Sequence, residues 1–176
     1  MSQNPVTPGV TLGFLTVLHE ANGYLGGYLV TNQWGRPLEF RLSTAVQPNR
    51  VQQILYGGTL EPYLCADLIG KTLVEKTGLP VQLVVTDTAA ALDLRLRLEA
   101  PVALLPAADR PGTAGGALDV AAAGRPPLKC HAQFPGDASA IGALLERLGS
   151  PLDLTEPFQR IREAMGEARK MGVTNR

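Results

Sequence analysis

The side chains able to do chemistry in this chain are few and dispersed. Asp87 closes the apolar run "LPVQLVVTD" (79–87). A carboxylate at the carboxyl end of a buried strand lies where open α/β sheets bind ligands; the same residue type is also a good cap for a following helix. Cys130 and His131 are neighbours, and adjacent strand residues point to opposite faces, so the two do not readily share an ion. His19 and Glu20 have the same problem. A nucleophilic dyad assembled in space from Cys65 and either histidine is conceivable in chemistry. Yet Cys65 lies among Leu64, Ala66 and Leu68, the setting of a small buried hydrophobe. The ligand count is too low for a zinc site, and no metal or cofactor is expected.

The glycines form no phosphate loop. "GYLGG" and "YGG" lack the required order, and Gly70-Lys71-Thr72 has the end of the P-loop pattern without its first glycine. A GxSxG elbow is absent too. Gly26-Gly27 marks a bulge or a place where another segment approaches a strand closely.

The densest set of hydrogen-bonding side chains falls in and just after "GGYLVTNQWGRPLEFRLSTAVQPNR" (26–50). Trp34 sits at a hairpin tip, either exposed as an anchor for a partner or folded back as a lid on the core. Glu39 and Arg41 line the non-core face of a strand, with Arg36, Asn49, Arg50, Gln52, Gln53 and Tyr56 close in sequence. The candidate binding residues are therefore Trp34, Arg36, Glu39, Arg41, Asn49, Arg50, Gln53, Tyr56 and Asp87. An ordinary solvated sheet face is the competing explanation for most of them.

Composition narrows the classes. The 176 residues carry 16 basic and 16 acidic side chains, and the formal net charge is zero. Affinity built on phosphate neutralisation needs a basic surface, so nucleic acid is disfavoured as a partner. A protein partner or a homo-oligomer is expected instead. Two distant cysteines make no disulfide framework, which suits a reducing, cytoplasmic setting. The N-terminus lacks the pattern of a secretory signal. No apolar run reaches the ~18 residues of a membrane span.

The elements that must position these residues follow from periodicity. Segments 9–20, 23–32 and 36–45 are expected strands, joined by "ANG" and the hairpin "NQWG". In the third, Leu38, Phe40 and Leu42 share one face, expected to be buried, and Glu39, Arg41 and Ser43 the other. Asn49 is expected to cap a short helix through Tyr56, broken by Gly57-Gly58. Thr59 is expected to cap a second helix with Leu60, Leu64, Leu68, Leu73 and Val74 as its apolar stripe and Gly78 as its C-terminal cap. A strand over 79–87 follows. Segment 88–100 alternates leucines as a strand would, but its Ala and Leu content favours helix.

Segment 101–106 is a short strand, 107–127 an Ala/Gly/Pro-rich flexible loop, and 128–134 another strand. Asp137 is expected to cap one helix and Thr155 the last, whose apolar face is Phe158, Ile161 and Met165. The chain is thus expected to be a single α/β domain over 9–170, with a loose arm at 1–8 and a frayed tail at 171–176. An antiparallel three-stranded meander comes first, then alternating helices and parallel strands, then C-terminal helices.

This order, over roughly residues 9–105, resembles the ribonuclease-H-like fold. Active members of that family hold two divalent metals with carboxylates on the first strand, the first long helix and the end of the fourth strand. On this chain the resemblance points to Asp87 and to Glu61 or Asp67. The first strand "VTLGFLTVL" has no acid, and Glu20 arrives only at its end.

The expectation is accordingly a non-catalytic binding or scaffolding protein working in an oligomer or larger assembly. A ribonuclease-H-like nucleic-acid or nucleotide enzyme with an atypical carboxylate site is one alternative. A small-molecule sensor with a pocket under Phe14, Tyr28 and Phe40 is another.

Overall fold

A computed structural model describes residues 9–106, 116–120, 125–148 and 152–172. The expected arm at 1–8, much of the 107–127 loop and the tail from 173 onward lie outside the described residues. Seven strands form one mixed sheet: β1 (Thr11–Glu20), β2 (Gly23–Asn32), β3 (Pro37–Leu42), β4 (Leu83–Thr86), β5 (Val102–Leu104), β6 (Leu118–Val120) and β7 (Leu128–Cys130). Their order is β3-β2-β1-β4-β5-β7-β6. The first three pair antiparallel, β1–β4 and β4–β5 are parallel, and β7 is antiparallel to both β5 and β6. The expected α/β class and ribonuclease-H-like order are therefore present over β1–β5, whereas β7, expected to be parallel like β4 and β5, runs antiparallel. β6 is an addition, formed within the stretch expected to be loop.

Both sheet faces are covered, because the central strands alternate their apolar residues across the two sides. Leu12, Phe14, Leu83 and Val85 meet α4 (Gly136–Arg147) and α5 (Glu156–Lys170) through Ile141, Leu144, Phe158, Ile161 and Met165. Leu15, Val17, Tyr28 and Val84 meet the helical segments on the opposite side through Leu64, Cys65, Ile69, Leu73 and Leu94. The glycine pair serves this sandwich. A Cβ at Gly27 would stand 2.6 Å from Ile161 Cγ2, and one at Gly26 would collide with Ile69. Close approach, not a bulge, explains it.

Helix α1 (Arg50–Tyr56) is capped as expected: Asn49 Oδ1 accepts from Gln52 N at 2.8 Å, and Gln52 Oε1 accepts from Asn49 N at 3.0 Å. Gly57, at φ +52°, ends it. The next helix departs from expectation. After α2 (Leu60–Pro62) the chain winds as a wide π-helix over Tyr63–Gly70 before α3 (Lys71–Lys76). The wider turn turns Cys65, Ala66 and Ile69 inward, while Leu68 is at the surface. A stripe drawn at 3.6 residues per turn misplaces them. Thr59 does not cap; its hydroxyl donates to Tyr56 O at 2.6 Å. Thr77, not Gly78, ends α3 by turning extended.

Segment 88–100 is helical, as a 3₁₀ run over Ala89–Arg97. Asp137 lies within the first turn of α4 and pairs with Arg95 at 2.7 Å instead of capping. Thr155 flanks α5 but gives its hydroxyl to Asp153. Leu38 and Phe40 are exposed, against expectation. β3 is the sheet edge, whereas α5 packs over β1 and β2, so only Leu42 of that face joins the core.

Candidate functional site

The carboxyl ends of β1 and β4 lie side by side and open into a cleft of about 490 Å³. Its walls include Glu20 from the end of β1, Tyr24 from the start of β2, Glu61 from α2, and Asp87 and Thr88 after β4. Three acids far apart in sequence thus face one space. Glu61, not Asp67, is the helical member: Asp67 is held by Arg97 at 3.1 Å and is not part of this wall.

Each acid is positioned. Asp87 is almost fully buried and pairs with Arg162, while Thr88 Oγ1 donates to its Oδ1 at 3.3 Å and accepts from Val17 N at 3.1 Å. Glu20 pairs with Arg169. Glu61 Oε1 accepts from the Tyr24 phenol at 3.3 Å. Burial first, and the Glu61 charge second, push the Tyr24 phenol up to about 12. The phenol stays protonated and donating at neutral pH. The same two causes push the Cys65 thiol up to about 12. His19 lines the cleft beside it, but no hydrogen bond joins the two, so no thiolate dyad forms. His19 instead stacks on Tyr24, with ring centroids 4.1 Å apart and planes within 4°.

Arg162 and Arg169 are the residues that sequence reasoning missed. They lie on the same side of α5 as Phe158, Ile161 and Met165, seven residues apart. Two arginines interrupting a core-facing stripe were the available signal. Every buried side-chain polar atom without a partner among the described residues belongs to this neighbourhood or to the strand beside it: Thr16 Oγ1, Arg162 Nε and Arg169 Nε. Thr16 follows Leu15, the partner of Thr86, so it neighbours Asp87 across β1 and β4 and faces the same side.

The other expected residues lie elsewhere. Trp34 is 72% exposed, and with Gln33, Asp153 and Arg160 it lines a separate cleft of about 320 Å³. Arg160 Nη1 donates to Gly35 O at 2.8 Å there. The Arg36 backbone N–H donates to Asn32 Oδ1, and Glu39 pairs with Arg41 at 2.8 Å along β3. Arg50 and Gln53 bond one another, Asn49 is spent on its cap, and Tyr56 stacks on Tyr63. Of the nine candidate binding residues, Asp87 alone lines the cleft of acids. Cys130 and His131 do not act together: Gln133 N donates to His131 Nδ1, so Nε2–H donates to Asp93 at 2.9 Å.

The residues present do not fit the two-metal centre that a ribonuclease-H-like resemblance implies. Thr16 occupies the strand position beside Asp87, and guanidinium groups hold Asp87 and Glu20. Among the described residues no three His, Cys, Asp or Glu side chains converge closely enough to hold an ion. Among the same residues, no helix is long and apolar enough to cross a membrane.

No family model matches the sequence, and no curated protein matches it. A similar solved structure is that of Ciona intestinalis endonuclease V in complex with a 23mer DNA containing an inosine followed by a ribo-adenosine. The identity is 12%, the TM-score 0.47, and 94% of this chain and 88% of that one are covered. At that likeness no residue role is carried across. The expectations of a non-catalytic, protein-binding scaffold and of nucleic acid as a disfavoured partner are corrected to the extent that they disagree with this neighbour, itself an endonuclease bound to DNA. The partner expectation rested on net charge, and the non-catalytic one on the dispersal of reactive side chains along the sequence. A zero net charge is silent about where arginines and carboxylates converge, and the chain does gather ionisable groups in one cleft.

Proposed function

We propose that this chain is a ribonuclease-H-like enzyme with an atypical carboxylate site, hydrolysing a phosphate ester in a nucleotide or nucleic-acid strand. One observation carries the reading: Glu20, Glu61 and Asp87, from three separate elements, face a single cleft at the carboxyl ends of β1 and β4, the place where open α/β sheets bind ligands. The stacked His19 and Tyr24 rings add a platform on which a base can lie.

Among the described residues Glu61 is the acid of the three without a guanidinium partner, so it is the one to act as general base. A water oxygen attacks phosphorus as the ester P–O bond breaks. The water proton passes to the Glu61 carboxylate and then to the leaving alkoxide, so that charge and protons balance. Tyr24 orients the carboxylate, and Thr88 ties Asp87 to β1. A cytoplasmic setting accords with the two unpaired, buried thiols of Cys65 and Cys130.

The test is turnover of short DNA and RNA strands and of nucleotides by the pure chain, with and without Mg²⁺. Cleavage is expected, falling on the order of a hundred-fold in Glu61→Gln. Intact substrates throughout, or an unchanged rate in that variant, would refute the reading.

A further inference from the structure

The misfit of the metal centre has a positive side. Arg162 and Arg169 occupy, at Asp87 and Glu20, the positions where a cation would sit. Each ion pair uses one terminal guanidinium nitrogen, and both Nε atoms are buried without a partner among the described residues. Thr16, fully buried, adds a hydroxyl in the same condition on the neighbouring strand position. N–H groups cannot ligate a cation, and guanidinium groups beside both acids leave no place for one.

We propose that Arg162 and Arg169, over a third exposed beside the cleft, are the fixed cations of Asp87 and Glu20, and that ligand phosphate oxygens are met there by guanidinium groups and without divalent metal. Arginine suits the task, because its planar fork matches phosphate and stays charged at any working pH. The seven-residue spacing sets the two about 10 Å apart along α5. A strand with successive phosphates can engage both at once, and an oligonucleotide is the ligand class proposed. This inference rests on the nucleic-acid reading of the cleft, and the experiment keeps the two separable.

In the first arm, a fluorescently labelled single-stranded 12-mer is titrated with the full chain in EDTA and in Mn²⁺, following anisotropy. Affinities are expected to agree within about two-fold, and to fall on the order of ten-fold in Arg162→Gln, with partial recovery in Arg162→Lys. Binding only with Mn²⁺, or an unchanged affinity in Arg162→Gln, overturns the inference.

The second arm needs no nucleic acid. Free Mn²⁺ is followed by electron paramagnetic resonance with the wild type, Asp87→Asn and the Arg162→Gln/Arg169→Gln pair. The wild type is expected to show no saturable site, and the doubly substituted chain to gain one. A wild-type site that is lost in Asp87→Asn overturns the inference, as does a folded double variant, verified by its melting curve, that gains none. If the 12-mer binds under neither condition, the nucleic-acid reading of the cleft falls, and with it the oligonucleotide clause, while the Mn²⁺ arm still decides whether the arginines exclude metal.

Discussion

Asp87 and Glu20 each commit an oxygen to an arginine of α5, and that commitment is measurable. Removing one member of a buried pair leaves the other uncompensated; here the arginines are over a third exposed, so water absorbs part of the loss. Arg162→Gln and Asp87→Asn are each expected to cost about 1–3 kcal/mol in denaturant unfolding. The pair together should cost less than the sum, the mark of direct coupling. Additive losses would mean that the two do not interact.

The thiol and phenol of the cleft respond to pH. The Cys65 thiol is raised from 9.0 to about 12 in the folded chain. Above pH 9 the unfolded chain has released that proton while the folded chain keeps it, so stability is complete below pH 9 and declines as pH rises toward 12. Tyr24, raised from 10.0 to about 12, adds to the fall between those values. Unfolding midpoints should therefore drop from pH 8 to pH 11, and less steeply in Cys65→Ala. An identical pH slope in that variant would remove Cys65 from the account.

At the scale of elements, much was legible. β-Branched and aromatic residues marked β1, the Asn49 cap and Gly57 bounded α1, and Gly26-Gly27 announced a bulge or a close approach, of which the second is found. What escaped notice depends on neighbours. Leu38 and Phe40 alternate as core residues do, but burial needs a covering helix, and β3 lies at the sheet edge. The π-helical turn at Tyr63–Gly70 shifts the inward face in a way no 3.6-residue template follows. Gly70 marks its tight side: an added Cβ would lie 2.8 Å from Cys65 O and 3.1 Å from Leu15. Gly70→Ala is thus expected to destabilise by about 1–3 kcal/mol, and Gly27→Ala similarly by pressing Ile161 and α5 off β2. Wild-type melting temperatures in both variants would contradict this packing.

At the scale of the whole molecule, the sheet brings together residues that sequence distance hides. Glu20, Glu61 and Asp87 meet because the antiparallel β1–β2 pair returns the chain and β4 then lies parallel to β1. Asp87 could be singled out from its place at a strand end. Its partner Arg162 lies 75 residues on, in a helix whose polar face distracts from two arginines on its core side. The measurement that tests the cleft most directly is an amide chemical-shift map of the ¹⁵N-labelled chain titrated with the 12-mer. Shifts are predicted at His19, Glu20, Tyr24, Glu61, Asp87 and Thr88, saturating together. A map that leaves these amides unmoved, or moves only those around Trp34, would contradict the assignment of the cleft.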